Sequence, residues 1–228
     1  MLIAGIVKSS VIDYPGTICT VLFTGGCNLS CGYCHNPELI NFAGIPLNGA
    51  EILDFLERRR KFIDAVCISG GEPCIQQGLY EFIEVLKAKG FKIKLDTNGT
   101  RPDVLERLVR SQLLDYIAMD VKAPFRKYHS VTGAFVDINA IKRSIGLIKE
   151  ISVEYEFRTT LCKPIIEKED IISIAKGIKG AKSYYLQQFK QSKKDDCELG
   201  NYASYDTDEL KDTMEVIKDW FKNCSIRG

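Results

Sequence analysis

Cys27, Cys31 and Cys34 fall within the run GGCNLSCGYCHNP, directly after the apolar stretch ICTVLF. Three thiolates in a C-x3-C-x2-C spacing on one loop can hold three irons of a cubane [4Fe–4S] cluster. The fourth iron is then left without a protein ligand. A cluster with an open corner can bind and act on a small molecule, which a fully ligated electron carrier cannot. The spacing therefore points to an enzyme whose chemistry takes place at the cluster. Zinc is the competing metal, and it wants a fourth tetrahedral ligand. His35 follows Cys34 at once and could supply it on paper, but adjacent residues rarely converge on one ion. Thiols that bind nothing are the third reading.

Strands alternating with helices must position that loop. TICTVLF at 17–23 reads as a strand, GAEILDFLERRR at 49–60 as a helix, and DAVCIS at 64–69 as a buried strand ending in Gly70-Gly71. A helix at 78–89 with Gly90 as C-cap follows, then KIKLD at 92–96 as a strand. Pro102 opens a helix at 102–112, and LDYIAMD at 114–120 is the next strand. The second half continues with a helix at 137–149, a strand at 152–160, a helix at 167–177 and a strand at 183–189. A last helix is expected at 207–222, with Asp206 or Thr207 as N-cap. These are six strand–helix units, with an extra short strand possible at 2–7. The alternation implies a mainly parallel sheet in an α/β fold. Periodicity alone does not separate a partial (β/α)6 barrel from an open doubly wound sheet.

Cys27, Gly70-Gly71-Glu72, Asp96, Asp120 and Arg158 all fall at or just beyond strand ends. In barrel-like α/β folds that rim is where active sites form. Each taken alone could be an ordinary turn residue, but five successive strand ends make that account strained.

At 228 residues the chain can bury a substantial core, and one domain spanning residues 1–228 is the default expectation. The formal net charge of +1, from 31 basic and 30 acidic residues, argues against a nucleic-acid partner. No apolar run reaches membrane-spanning length, and the start lacks a signal-peptide pattern. Nine scattered cysteines suit a reducing cytoplasm. Cys19, Cys67 and Cys162 lie in strand-like runs and read as small buried hydrophobes.

The cysteine spacing, aromatic Tyr33 before the third cysteine, ISGGEP at 68–73, DTNG at 96–99 and MDVK at 119–122 resemble the radical S-adenosylmethionine (SAM) superfamily. Within it they are similar to the glycyl-radical-enzyme activating enzymes. The opening VKSSVIDYPG and the cluster run most resemble activating proteins of anaerobic ribonucleoside-triphosphate reductase, with the pyruvate formate-lyase activating enzyme as neighbouring relative. The resemblance implies a partial (β/α)6 barrel, a curved sheet with outer helices.

It also implies roles. Cys27, Cys31 and Cys34 would ligate the cluster, and SAM would chelate the open iron through its amino and carboxylate groups. Electron transfer to the sulfonium would then release a 5′-deoxyadenosyl radical. Gly70 and Gly71 would let the backbone approach the methionine amino group, their lack of Cβ making this possible. Glu72 would accept a hydrogen bond there or orient the loop. Asp96 and Asn98 would contact SAM, with an Asx-type turn as the bland reading of the N-G pair. Asp120 and Lys122 would reach the carboxylate and sulfonium region, with a surface ion pair as the alternative. Arg158, a basic group in a mostly apolar strand, would meet the SAM carboxylate or form a structural salt bridge. Tyr33 would line the adenine pocket and His35 support the loop. Gln187 or Gln188 stands near a position where the pyruvate formate-lyase activator has a histidine, a departure easier to reconcile with the reductase branch.

The target implied is a glycine loop of a large partner enzyme, anaerobic ribonucleotide reductase above all. A flavodoxin- or ferredoxin-like protein would donate the electron. The interval from Cys34 to Gly70 leaves no room for an inserted ferredoxin-like domain. Competing readings are a radical SAM enzyme acting on a small metabolite or a peptide, a non-catalytic iron–sulfur electron-transfer protein, and a zinc-stabilised interaction domain. The small-molecule reading needs contacts from the 123–135 or 187–205 loops, where Arg126, Lys127, Lys190, Lys193 and Lys194 stand. Cys197 has no role legible in the sequence.

Overall fold

The computed structural model describes residues 1–190 and 202–228, so Cys197, Lys193 and Lys194 lie outside the described residues. One sheet of eight strands runs in chain order from β1 to β8. β1 (Ile3–Ser10) pairs antiparallel with β2 (Cys19–Thr24). From β2 onward every pairing is parallel, through β3 (Ala65–Gly70), β4 (Lys92–Thr97), β5 (Tyr116–Asp120), β6 (Glu154–Leu161), β7 (Ser183–Gln188) and β8 (Asn223–Arg227). Helices α1 (Gly49–Arg58), α2 (Leu79–Ala88), α3 (Pro102–Arg110), α4 (Tyr128–Thr132), α5 (Ile138–Glu150), α6 (Lys168–Gly177) and α7 (Lys211–Ile217) link the parallel strands. This is the partial (β/α)6 barrel: six strand–helix units, flanked by an antiparallel strand at one edge and a parallel strand at the other.

Side chains alternate across each strand, so its two faces can carry different chemistry. One parity supplies the main core. Leu22, Val66, Ile68, Ile93, Leu95, Ile117, Met119, Tyr155, Phe157, Tyr184 and Leu186 are buried there with apolar helix residues such as Leu56, Ile83, Leu105, Ile145 and Ile174. The other parity is small or polar. It carries Cys19, Val21, Ala65 and Cys67 in a second apolar cluster with Tyr14. It also carries Ser69, Lys94, Asp96, Asp120, Glu156 and Arg158. Tyr14 comes from the β1–β2 connection and packs against the Tyr116 ring, 5.7 Å between centroids. Cys19, Cys67 and Cys162 are fully buried, as their setting in the sequence suggests.

The C-terminal stretch differs from expectation. The helix expected at 207–222 breaks into a 3-10 turn at Asp208–Leu210, α7, and a second 3-10 turn at Lys218–Trp220. Phe221 then turns extended, and β8 starts two residues later at Asn223. NCSIR does alternate, and Cys224 and Ile226 pack against the core. Five residues at a sheet edge are too few for that period to stand out. The Asp206 carboxylate accepts from the Asp208 N–H at 2.8 Å, whereas Thr207 makes no side-chain cap. α4, little more than one turn, leaves no periodic signal in the sequence. The basic run at 58–61 behaves as a solvated helix end: Arg58 pairs with Asp54 at 3.0 Å, and Arg60 donates to the Gly90 carbonyl at 2.7 Å.

Candidate active site

A cavity of about 320 Å³ opens at the C-terminal ends of the parallel strands. Cys27, Cys31, Tyr33, Cys34, Gly70, Gly71, Glu72, Asp96, Asn98, Asp120, Lys122 and Arg158 all line it. The twelve residues singled out in the sequence are thus brought to one place by five different segments. Asp13, Ser69, Thr160 and Gln187 line it as well.

The cysteine loop is fastened at both ends. The Gly26 N–H donates to the Leu39 carbonyl at 2.7 Å and the Cys27 N–H to the Ile40 carbonyl at 3.1 Å, which closes the 25–40 segment on itself. The Ser30 N–H donates to the Thr132 carbonyl at 2.8 Å, tying the loop to α4. A turn from Cys31 to Cys34 brings the Cys34 N–H within 3.0 Å of the Cys31 carbonyl. Burial pushes the Cys27 thiol up to about 11 and raises that of Cys31 as well. Thiols in such surroundings stay protonated until a cation compensates the thiolate, so metal loading here releases protons. Among the described residues no three His, Cys, Asp or Glu side chains converge on a single ion, as zinc would require. A cubane asks for something different, since each thiolate meets its own iron. The three soft donors and the adjoining space fit that group.

Gly70 and Gly71 are required by the neighbouring backbone. A Cβ on Gly71 would sit 2.0 Å from the Gly26 carbonyl oxygen, and one on Gly70, whose φ is +109°, would sit 2.3 Å from the Thr24 nitrogen. Their closeness is used: the Gly71 N–H donates to the Thr24 carbonyl and the Glu72 N–H to the Gly26 carbonyl, both at 2.9 Å. The glycine pair therefore lies directly against the root of the cysteine loop. Gly71→Ala should force the two apart at a cost of about 1–3 kcal/mol or more. We expect it to lower the melting temperature and the iron retained after anaerobic reconstitution. Gly146→Ala, whose Cβ meets nothing within 4 Å, is the control and should lower neither.

Glu72 is almost completely buried at 1% exposure. Its carboxylate accepts from the Cys74 N–H at 2.9 Å, the Thr97 hydroxyl at 2.7 Å and the Asn98 N–H at 2.7 Å. Of its two expected roles, orienting the loop is the one its hydrogen bonds serve. Burial raises its carboxyl above the ordinary range despite these three donors. The Asn98 side chain accepts from the Thr100 N–H at 3.0 Å, the Asx turn foreseen for N-G, and donates to the Asn28 side chain at 3.0 Å. Asn28 in turn donates to the Thr100 hydroxyl at 2.8 Å. This clamp between the cysteine loop and the β4 end was not foreseen, although Asn28 sits beside the first cysteine.

The cavity floor is ionic. Arg158 donates through Nε to Asp120 at 2.8 Å and through a terminal nitrogen to Asp96 at 3.3 Å. The register explains this reach. Asp120 of β5 stands beside Arg158 of β6, whereas Asp96 of β4 stands beside Ala118. The small Ala118 side chain leaves a gap across which the guanidinium spans three strands. Asp96 also takes Lys94, as an ion pair, and the Ser69 hydroxyl at 3.1 Å. Lys122 pairs with Asp120 at 2.9 Å inside the cavity, so this is no surface pair. Burial by itself would raise the Asp120 carboxyl, but Arg158 and Lys122 outweigh it and hold the group well below the usual range. Asp96 is likewise held low, by Arg158 and Lys94 against burial.

Lys122 is held by two tyrosines. Tyr33 donates its hydroxyl to the Lys122 carbonyl at 3.3 Å, and the Lys122 N–H donates to the Tyr128 hydroxyl at 3.2 Å. His35 stacks on Phe189, 5.7 Å between ring centroids. The two glutamines separate: Gln187 lines the cavity, whereas Gln188 exchanges hydrogen bonds with the Tyr205 backbone at 2.7 and 3.2 Å.

Known proteins resemble this chain in sequence and fold. The radical SAM superfamily model matches residues 21–176, from β2 into α6. A protein of Methanocaldococcus jannaschii, named as a candidate glycyl-radical enzyme activating enzyme, is 38% identical over 99% of this chain and 95% of its own length. The pyruvate formate-lyase-activating enzyme of Clostridium pasteurianum is 30% identical, covering 79% of this chain and 77% of its own. Among solved structures, Streptococcus suis SuiB bound to its precursor peptide SuiA superposes with a TM-score of 0.72 at 15% identity. That match covers 91% of this chain, which spans about half (48%) of the SuiB chain. QueE from Escherichia coli superposes with a TM-score of 0.57 at 16% identity, over 99% of this chain and 93% of its own. At such identities these two speak for the fold alone. With the family model spanning the strands that carry the cysteines, glycines and carboxylates of the cavity, the chain belongs to the radical SAM superfamily and is similar to its glycyl-radical-enzyme activating enzymes.

Proposed function

We propose that this chain is a radical SAM activating enzyme that creates a glycyl radical on a partner enzyme, anaerobic ribonucleoside-triphosphate reductase. The observation that carries the reading is the convergence of the three cysteines, the glycine pair and the ionic floor on one cavity. Cys27, Cys31 and Cys34 hold a [4Fe–4S] cluster. When bound, the reduced cluster and SAM supply a carbon radical able to take a hydrogen atom from a glycine Cα. The chain's own residues bind and orient. Lys122, with one donor on Asp120 and others free to turn, neutralises the SAM carboxylate. Asp96 and Asp120, held ionised, receive its ammonium or ribose hydroxyls. Tyr33 lines the pocket wall. Gly70 and Gly71 let the strand end approach the ligand. Arg158, Glu72 and Asn98 contribute chiefly by holding these groups in place.

The small-metabolite alternative needs contacts from the 123–135 or 187–205 loops, and residues 191–201 of the second lie outside the described residues. In the first, Arg126 and Lys127 turn to Asp170 of α6, at 3.2 and 2.6 Å. A flavodoxin- or ferredoxin-like protein is the electron donor that completes the scheme. Among the described residues no helix is long and apolar enough to cross a membrane.

The test is anaerobic reconstitution, followed by measurement of iron, sulfide and reductive SAM cleavage with the reductase or pyruvate formate-lyase in separate reactions. Radical transfer to a reductase glycine is the expected result. Transfer only to the lyase would move the assignment to that branch. SAM cleavage without transfer would redirect it to another substrate, and stoichiometric zinc without a cluster would overturn it.

A further inference from the structure

Lys94 is one of the most deeply buried charged groups of the chain, with 2% of its side chain exposed. It lies on the inner face of β4, two residues before Asp96. Its ammonium ion-pairs with one oxygen of Asp96, stands 3.8 Å from the Cys67 sulfur and lies 5.9 Å from the centre of the Tyr116 ring. Asp96 is its one ion-pair partner among the described residues. The second Asp96 oxygen takes Ser69 at 3.1 Å and Arg158 at 3.3 Å. Arg158 is a shared resource, since its closest contact is Asp120 at 2.8 Å and Glu156 stands 4.0 Å away. Lys94 is therefore the cation that belongs to Asp96 alone.

Exchanging a whole buried ion pair for well-packed apolar groups is often neutral, but removing Lys94 alone leaves the Asp96 carboxylate behind, held only by Arg158 and Ser69. Burial opposes the charge on Lys94, yet the neighbouring Asp96 keeps the ammonium protonated. Its effect falls on the carboxylate above it. Lys94 draws one oxygen towards the floor, and Ser69 with Arg158 holds the other. The group is fixed in rotation, with its remaining lone pairs available to the cavity that it lines.

We propose that Lys94 is a positioning residue of the SAM site, acting from beneath the floor to keep Asp96 aimed at a donor group of the ligand. This rests on the reading of the cavity as the SAM site. Lys94 itself does not line the cavity and needs no contact with the ligand. Without it, Asp96 is free to rotate onto Arg158 and loses its fixed direction.

Calorimetric titration of SAM into anaerobically reconstituted protein, with iron content measured alongside, tests this in a double-mutant cycle. Lys94→Met should weaken SAM binding about tenfold or more, the effect of losing a supporting partner behind a ligating group, with iron content kept. Asp96→Asn should weaken it at least as much. On the Asp96→Asn background, Lys94→Met should add nothing, because the group it acts through is gone. Additive losses would mean a merely structural role and overturn the proposal, as would unchanged affinity in Lys94→Met beside weakened binding in Asp96→Asn. If Lys94→Met fails to fold, Lys94→Gln carries the same cycle with a neutral hydrogen-bond donor in place. Unchanged affinity in Asp96→Asn, or no binding by the unaltered protein, would instead overturn the site reading, and the positioning role with it.

Discussion

Serine in place of any one of Cys27, Cys31 or Cys34 is expected to abolish both the reconstituted cluster and reductive SAM cleavage. Each thiolate is assigned its own iron, so two remaining ligands leave two irons of the cubane without protein donors. A hydroxyl is a harder and far less acidic donor than a thiol, and it does not replace the soft sulfur that iron–sulfur clusters select. The surroundings sharpen the effect. Burial already disfavours the thiolate at Cys27 and Cys31. In the proposed cluster the irons would make ionisation favourable there, whereas a serine in the same place would stay neutral. Cys224→Ser is the matched control. Cys224 lies on β8 and lines no part of the cavity. Its loss should leave iron, sulfide and the visible absorption of the cluster unchanged. Full cluster content in any of the three loop variants would sink the ligand assignment.

Much of this site is legible in the sequence because chemistry-bearing residues stand at strand ends, and strand ends are set by apolar patterning. The six strand–helix units follow from that pattern, and with them the gathering of the cysteine loop, GGE, DTNG and DVK at one rim. Contacts across strands are another matter. Whether Arg158 meets SAM or a carboxylate depends on the β4–β5–β6 register and on Ala118 being small enough to leave a gap. A sequence states neither. In the sequence Lys94 is one residue of the strand KIKLD, yet it shares the inward parity of Asp96. A lysine on the inner face of a buried strand is the signal that could have marked it. Gln187 and Gln188 were inseparable because adjacent strand residues face opposite ways, and only the parity of β7 decides between them. At the C-terminus a five-residue edge strand offers too short a period to outweigh a helical reading.

The glycine pair illustrates a second limit. Its lack of Cβ was read as serving a ligand, whereas the closest constraint is the backbone of the cysteine loop itself. The two are compatible, since a strand end pressed against the loop root brings the three cysteines and the cavity-lining glycine backbone to one spot.

Glu72 stands at the centre of that joint, and Glu72→Ala should be the most destabilising single change in the cavity outside the cysteines. Truncation leaves the backbone N–H groups of Cys74 and Asn98 and the Thr97 hydroxyl without their acceptor, in a place water does not reach. Orphaning two buried N–H groups at about 1–3 kcal/mol each, with the cavity added, gives a loss on the order of 3–6 kcal/mol. For a chain of this size each kcal/mol is worth roughly 2–4 °C, so the melting temperature should fall by ~6–24 °C. Glu72→Gln separates shape from charge. Its carbonyl can still accept from Cys74 and Thr97, but its amide turns a donor towards the Asn98 N–H. It should therefore fall between the unaltered protein and Glu72→Ala, and its harm should concentrate at the β4 end, where Asn98 meets Asn28 of the cysteine loop. Thermal melts of the three proteins, with hydrogen exchange at the Asn98 amide, read this directly. Equal melting temperatures for all three would mean that the joint is held by the glycine backbone contacts alone. A Gln variant as unstable as the Ala variant would instead place the whole effect on the Asn98 N–H, making the bond between the two strand ends the one on which the cysteine loop depends.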